Sequence, residues 1–166
     1  MRREPLKKLT MAAVCAAAVT ILTGILRLPT PMGYVHLGDA GVLLTALLLP
    51  VPYAAAAAAA ASCLADLLAG FAVYIPATAV IKACMVLVMS AVCRRSQNRV
   101  HMILGSVAAE GLMAAGYAVY EAFFLGYGAG ALPGLWVNAV QGAAGVIIAA
   151  VIGKHILSAG GGQTRI

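Results

Sequence analysis

Charged residues are scarce in this chain of 166 residues. Only 10% of its residues are Asp, Glu, Lys or Arg, whereas 63% are hydrophobic. An average soluble domain has about 25% charged and about 45–50% apolar residues. A soluble fold of this length cannot bury so much apolar surface, so the composition excludes a soluble domain and predicts an integral membrane protein with several apolar helices.

Motifs for catalysis and metal binding are also missing. The sequence has no HExxH, no GxSxG and no Gly-rich phosphate loop, so we predict that the protein is not an enzyme and does not hydrolyse ATP itself. The cysteines lie in or at the ends of apolar segments, without CxxC or Cys/His spacing, and are Cys15, Cys63, Cys84 and Cys93. They are expected to be small core residues, with no disulfide framework, metal site or cofactor.

Apolar segments divide the chain into six predicted membrane helices. They cover residues 9–28, 40–49, 53–73, 77–93, 101–125 and 135–156. The first resembles a signal peptide, but it continues to Leu28 without a cleavage site, so we interpret it as a membrane helix. The second is too short to cross a bilayer without a tilt or help from the loop before it. The prediction is an all-α bundle of six transmembrane helices that forms one domain over residues 1–166.

The basic residues predict the orientation of the bundle. Six spans place most of them on one face, namely Arg2, Arg3, Lys7, Lys8, Arg94, Arg95, Arg99, Lys154 and Arg165. Arg27 falls on the other face and Lys82 lies within a span. Because positive charge is enriched in cytoplasmic loops, both termini are predicted to be cytoplasmic, in a multi-pass protein of the cytoplasmic membrane. Such short clusters between apolar segments argue against nucleic acid as a partner.

Polar side chains within the predicted helices indicate a binding site, because ionisable groups are costly inside a bilayer. At about 1.5 Å per residue, Asp66 and Lys82 lie at similar depths in adjacent helices. They either form a structural ion pair or contact a ligand directly. On the fifth helix, Glu110, Tyr117 and Glu121 share one face.

The predicted site lies in the outer half of the bundle. Its members in the helices are Asp66, Lys82, Tyr117, Glu121, Asn138 and Gln141, and Asp39 stands at the end of the loop before the second helix. Tyr34 and His36 belong to a loop over residues 29–39, rich in Pro and Gly, which we interpret as a lid. Carboxylates, an ammonium group, amides and tyrosines together suit a small heteroaromatic ligand, whose ring packs on tyrosine faces while polar groups set its orientation.

Small residues on the first helix form a candidate interface with a partner. The alanines at positions 12, 13, 16 and 17 have small-xxx-small spacing, which lets another helix approach closely. These residues are Ala12, Ala13, Ala16 and Ala17.

Several sequence elements resemble one transporter family. They are GYVHLGDA at 33–40, ADL at 65–67, PATAVIK at 76–82, EGLMAAGYAVYEA at 110–122 and NAVQG at 138–142. The chain resembles the substrate-binding S-components of energy-coupling factor (ECF) transporters, specifically the riboflavin-type group, and is similar to transporters of hydroxymethylpyrimidine or pyridoxine. The likeness covers nearly the whole chain.

This resemblance implies a six-helix S-component that binds a vitamin or precursor at its outer face, beneath the first loop. It also implies a transmembrane T-component and two ABC-type ATPases as partners. The family's docking surface is a small-residue stripe on the first helix, which here corresponds to Ala12, Ala13, Ala16 and Ala17.

Three functions follow as hypotheses. The first is an S-component for a substituted pyrimidine or pyridine, with riboflavin as the alternative substrate. The second is a stand-alone carrier coupled to an ion gradient, with Glu110 or Asp66 as its proton site. The third is a structural or assembly role in the membrane, without a ligand. Recovery of the partners during purification separates the first two, and ligand binding separates both from the third.

Overall fold

The computed structural model describes residues 3–30, 33–93, 96 and 98–159, and within them it contains six α-helices and one β-hairpin. The elements are α1 (Arg3–Gly24), β1 (Arg27–Thr30), β2 (Gly33–His36), α2 (Gly38–Leu48), α3 (Val51–Ala69), α4 (Ile75–Cys93), α5 (Arg99–Val119) and α6 (Leu132–Ala159). Short turns complete the bundle: 3₁₀ turns at Ala72–Tyr74 and Gly128–Ala131, and a π turn at Tyr120–Phe124.

Five of the helical segments are long and apolar enough to cross a membrane. They are Arg3–Gly24, Val51–Ala69, Ala72–Cys93, Arg99–Phe124 and Gly128–Ser158. Together with the short α2 they confirm the predicted all-α polytopic fold. The helix ends differ from prediction mainly at α1, which begins at Arg3 rather than Leu9, because its first turns contain residues that are polar but form helices well.

Helix α2 has only 11 residues, which gives a length of about 16 Å, against roughly 30 Å for a bilayer core. The β-hairpin before it packs against α6. The backbone N–H of His36 donates to Oε1 of Gln141 at 3.0 Å, and Gln141 lies nine residues beyond Leu132, about 14 Å along α6. The chain therefore descends into the bundle as β2 and begins α2 at depth. Pro31 and Met32, part of the predicted lid, lie outside the described residues.

Small residues bring neighbouring helices into close contact. The Oγ1 of Thr20 on α1 lies 3.2 Å from the carbonyl oxygen of Ala61 on α3. Between α4 and α5, a Cβ added at Gly105 would lie 2.9 Å from Sδ of Met89 and 3.3 Å from its carbonyl oxygen. These contacts are typical of membrane bundles, in which packing at small residues replaces the hydrophobic effect between helices.

The described basic residues are unevenly distributed along the bundle. Those at one end are Arg3, Lys7 and Lys8 at the start of α1, Arg99 at the start of α5 and Lys154 near the end of α6. We call this the basic end. Arg27 follows α1 at the opposite end. Arg2, Arg94, Arg95 and Arg165 lie outside the described residues, and the cytoplasmic location of the termini stays a prediction.

Candidate functional site

A cavity opens at the end of the bundle opposite the basic end. Its volume is about 90 Å³, and β2, α3, α4, α5, α6 and the turns that connect them form its walls. The lining consists of Tyr34, His36, Asp66, Phe71, Tyr74, Thr78, Tyr117, Glu121, Asn138 and Gln141. We call this set the polar cavity. The polar cavity lies near the start of α2, where the chain before the helix forms the β-hairpin.

Seven of the nine residues predicted for the site line this cavity. They are Tyr34, His36, Asp66, Tyr117, Glu121, Asn138 and Gln141. The other two, Asp39 and Lys82, are absent from the lining and lie buried beneath it. Sequence reasoning missed Phe71, Tyr74 and Thr78. Thr78 could have been predicted from the sequence, because it precedes Lys82 by one helical turn and so shares its face.

Asp39 and Lys82 form an ion pair in the interior of the bundle. Their side chains are 1% and 2% exposed, and Oδ1 of Asp39 accepts a hydrogen bond from Nζ of Lys82. The second carboxylate oxygen of Asp39 accepts from Nε2 of Gln141 at 2.7 Å. Lys82 Nζ also lies 5.5 Å from the ring centroid of Tyr117. The suggested pairing of Lys82 with Asp66 is therefore wrong: the lysine links α4 to α2, because β2 places Asp39 at the depth of Lys82.

This buried pair positions two residues of the lining. Gln141 is held at both ends of its amide, by the Asp39 carboxylate and by the backbone N–H of His36. Tyr117 packs against the ammonium group, and its hydroxyl lies 2.9 Å from Oγ1 of Thr78. Asp39 and Lys82 thus support the cavity from below.

Asp66 presents a carboxylate to one side of the cavity. Its Oδ1 accepts from the hydroxyl of Tyr34 at 3.2 Å. Its Oδ2 is buried and has no hydrogen-bond partner among the described residues. Burial, together with the nearby Asp66 charge, raises the pKa of Tyr34 above its usual range. The tyrosine hydroxyl therefore remains a proton donor to the carboxylate, and Oδ2 retains the capacity to accept from a ligand.

Glu121 presents a second carboxylate to the cavity. It lies in the π turn that follows α5 and is 8% exposed. The hydroxyl of Tyr74 donates to its Oε1 at 3.3 Å. A Cβ added at Gly134 on α6 would lie 2.7 Å from its Oε2, so this glycine leaves the space that the carboxylate occupies. Single π turns within α-helices occur frequently at functional sites.

Four aromatic rings form a continuous wall of the cavity. Ring centroids lie 5.2 Å apart for Tyr34 and Phe71, 6.2 Å for Phe71 and Tyr74, and 6.3 Å for Tyr74 and Tyr117. These spacings are those of interacting aromatic pairs. We call Tyr34, Phe71, Tyr74 and Tyr117 the aromatic wall. Its faces offer a flat ligand a surface for stacking.

Glu110 lies deeper than the cavity and is not part of its lining. It is 5% exposed, and neither of its carboxyl oxygens has a partner among the described residues. Gly142 and Gly145 make room for it on α6, since a Cβ added at Gly145 would lie 2.5 Å from its Oε1.

His36 is held as a neutral ring at the edge of the cavity. The backbone N–H of Gly38 donates to its Nδ1 at 3.1 Å, which leaves the ring proton on Nε2. Burial is the main cause that lowers the pKa of His36 to about 4. The neighbouring Asp39 charge acts in the opposite direction, and the Lys82 charge adds to the lowering.

The state of His36 predicts a loss of stability in mild acid. Its folded pKa of about 4 lies below the unfolded value of about 6.5. The folded state therefore binds fewer protons between these values, and stability falls as the pH drops through that window. From pH 7.5 to pH 5 we expect the His36 contribution to cost about 1–2 kcal/mol. Thermal unfolding in detergent at both pH values measures it.

The matched variants are His36→Gln and His155→Gln. The first should lose this part of the pH dependence, because glutamine does not titrate. The second changes an exposed histidine near the basic end and should behave like the unmodified protein. Equal pH dependence in the protein and in His36→Gln would contradict the assignment.

Two apolar grooves follow the seam between α1 and α3. The first is lined by Leu9, Ala12, Ala13, Ala16, Pro52, Tyr53, Ala56 and Ala57, and the second by Ala16, Ala17, Thr20, Ile21, Ala60, Ala61 and Leu64. All four alanines of the predicted partner interface line them. Ala12 is buried against the rest of the bundle, whereas Ala13 and Ala17 are exposed. The partner prediction therefore rests mainly on the latter two.

Comparison with known proteins identifies the family. Residues 4–158 match the family described as ECF-type riboflavin transporter, S component. The chain belongs to this family. The match covers nearly all of the described S-component, including α1 to α6, the hairpin and every residue of the polar cavity. No curated protein sequence matches this S-component.

Membership confirms that the chain is an ECF S-component and gives its general role, whereas the likeness to transporters of hydroxymethylpyrimidine or pyridoxine stays a prediction. The chain is a substrate-capture membrane subunit of an ECF transporter, a multi-pass protein whose family is a transporter component and not an enzyme family. S-components of this kind work with an ECF T-component and ATPase modules, which agrees with the missing phosphate loop in this chain.

Proposed function

We propose that this S-component captures a small heteroaromatic vitamin or precursor, of the pyrimidine or pyridine type, at the extracellular side of the cytoplasmic membrane. It then delivers the ligand with a T-component and two ABC-type ATPases. The observation that carries the proposal is the polar cavity, in which an aromatic wall lines the same space as two carboxylates and the amides of Asn138 and Gln141. Flat rings stack on such a wall, and the polar groups set their orientation.

The distribution of charge supports capture from outside. The described basic residues collect at the end opposite the cavity, with Arg27 and the buried Lys82 as the exceptions. Positive charge favours the cytoplasmic side. The basic end therefore faces the cytoplasm in this proposal, and the cavity opens to the exterior.

The size of the cavity supports a ligand with one ring. Its volume of about 90 Å³ is smaller than the roughly 150 Å³ that accommodates one benzene molecule in an engineered cavity. The mouth is open, so substituents can extend outward. A single substituted pyridine or pyrimidine must therefore lie partly in the mouth, and the three fused rings of riboflavin would lie outside the enclosed space to a greater extent.

Native mass spectrometry followed by calorimetric titration tests the ligand class. The panel is pyridoxine, hydroxymethylpyrimidine, thiamine and riboflavin, added to the purified protein in detergent. We expect binding of at least one compound with a pyridine or pyrimidine ring. Tyr74→Ala should weaken that binding by roughly 10–100-fold, because stacking on an aromatic side chain contributes about 1–3 kcal/mol per ring.

Tyr127→Ala is the matched control, because this tyrosine is 52% exposed and lies outside the cavity lining. Binding of riboflavin alone would contradict the one-ring ligand. Uptake by the chain alone, driven by a proton gradient, would instead support the carrier hypothesis, for which the candidate proton site is the carboxyl group of Glu110, which has no partner among the described residues.

A further inference from the structure

The polar cavity carries charge of one sign. Two carboxylates line it, from Asp66 and Glu121, and no lysine or arginine does so among the described residues. Lys82 lies beneath the lining, where the Asp39 carboxylate already neutralises it. From this arrangement we infer that the S-component selects a ligand with a positively charged group and excludes anionic forms of the same ring. The inference rests on the proposed function and adds a substrate class to it.

The Asp66 carboxylate has acceptor capacity that no described residue uses. The Oδ2 of Asp66 is buried and has no hydrogen-bond partner among the described residues, although Asp66 lines the cavity and is only 8% exposed. A carboxylate oxygen accepts hydrogen bonds and cannot donate them when ionised. The group that satisfies Oδ2 must therefore be a donor, and a charged N–H donor forms the stronger bond.

Tyr34 and Tyr74 cannot take over this role, because their hydroxyl protons already have acceptors. Tyr34 donates to Asp66 Oδ1, and Tyr74 donates to Glu121 Oε1. Gln141 is likewise held by His36 and Asp39. Among the described lining amides, Asn138 remains to contact a ring heteroatom.

The aromatic wall adds a second attraction for positive charge. The faces of aromatic rings are electronegative, and a cation within about 6 Å of a ring centroid is stabilised by them. Four rings with neighbouring centroids 5.2–6.3 Å apart bound the same space as the two carboxylates. Aromatic cages of this kind recognise ammonium ligands.

Arg27 is the one described cation near the mouth. Its guanidinium carbon lies 5.6 Å from the centroid of Tyr34, and the residue is exposed on β1. It is absent from the lining. An anion inside the cavity would therefore face two carboxylates without a cation to offset them, and like charges at close range oppose binding.

Two series of compounds test this charge selection, each built on one ring. The pyridine series is pyridoxamine, pyridoxine and 4-pyridoxic acid, which carry an ammonium, a hydroxyl and a carboxylate group. The pyrimidine series is 4-amino-5-aminomethyl-2-methylpyrimidine, hydroxymethylpyrimidine and its monophosphate, which carry an ammonium, a hydroxyl and a phosphate group on the same ring. Isothermal titration calorimetry in detergent at pH 7.5 gives the Kd of each. In the series that binds, we expect the cation to bind roughly tenfold tighter than the neutral compound, with the anion weakest, since one charged contact changes affinity by about 1.4 kcal/mol.

Neutralising the carboxylates should remove the preference. We expect Glu121→Gln, and independently Asp66→Asn, to reduce the ratio of cation to neutral affinity towards one, with a smaller effect on the neutral compound. Two variants are used so that a failure of one to fold does not prevent the test. Glu4→Gln is the matched control, because Glu4 is exposed at the basic end, and it should leave the ratio unchanged.

The outcomes separate this inference from the proposed function. Equal or tighter binding of the neutral or anionic compound would overturn charge selection and leave capture of a heteroaromatic ligand standing. A cation preference that persists in both variants would overturn the assignment to Asp66 and Glu121. If no compound of either series binds, the proposed ligand class and the charge selection are overturned together.

Discussion

Replacing Lys82 with methionine is expected to lower the free energy of unfolding by about 3–5 kcal/mol, because removal of one partner leaves the other charge buried without compensation. The lysine is 2% exposed and pairs with Asp39, which is 1% exposed. Methionine fills a similar volume, so the loss arises from the unpaired carboxylate and not from a cavity. Thermal and chemical unfolding of the detergent-purified protein measures the change.

A double variant and a surface variant test whether the unpaired carboxylate causes this loss of stability. Asp39→Asn combined with Lys82→Met should restore most of the lost stability, because asparagine is neutral and its side-chain oxygen can still accept from Gln141. Lys7→Met should cost about 0–1 kcal/mol, because Lys7 pairs with Glu4 in an exposed contact. A loss below about 1 kcal/mol in Lys82→Met, or no recovery in the double variant, would contradict a stabilising role for the pair.

Replacing Ala13 with tryptophan is expected to weaken binding of the partners, and so transport, while ligand binding is unchanged. Ala13 is exposed and lines the first groove at the seam of α1 and α3. We predict from the small-residue stripe on α1 that a helix of the T-component packs there. A bulky side chain in such an interface costs about 1–3 kcal/mol, or roughly 10–100-fold in partner affinity. Ligand affinity of the isolated S-component should be unchanged, because the groove lies far from the polar cavity.

Val14→Trp is the matched control for this experiment. Val14 is the next residue on α1, is 64% exposed and lies outside both grooves. Affinity purification with the T-component and the ATPases, together with vitamin uptake into cells, measures both variants. Normal recovery of partners with Ala13→Trp, or equal loss with Val14→Trp, would contradict the assignment of the interface to this stripe.

Most residues of the site could be predicted from the sequence because polar residues are scarce in this chain. Asp66, Glu121 and Gln141 stand out because polar groups are rare in an apolar chain, and such residues face the interior of a bundle. The aromatic wall was only half found. Tyr34 and Tyr117 lie near polar neighbours in the sequence, whereas Phe71 and Tyr74 belong to a turn between two helices, where a membrane-interface position predicts the same residue types.

The amino-acid sequence by itself determined the class of protein, the number of helices and most of the polar lining, because hydropathy and helical periodicity are local properties. Only the tertiary structure decided that Lys82 pairs with Asp39 and not with Asp66. Which carboxylate meets a lysine depends on the depth and rotation of separate helices. Here β2 extends into the bundle and places Asp39 at the depth of Lys82, and no local sequence pattern predicts this packing arrangement.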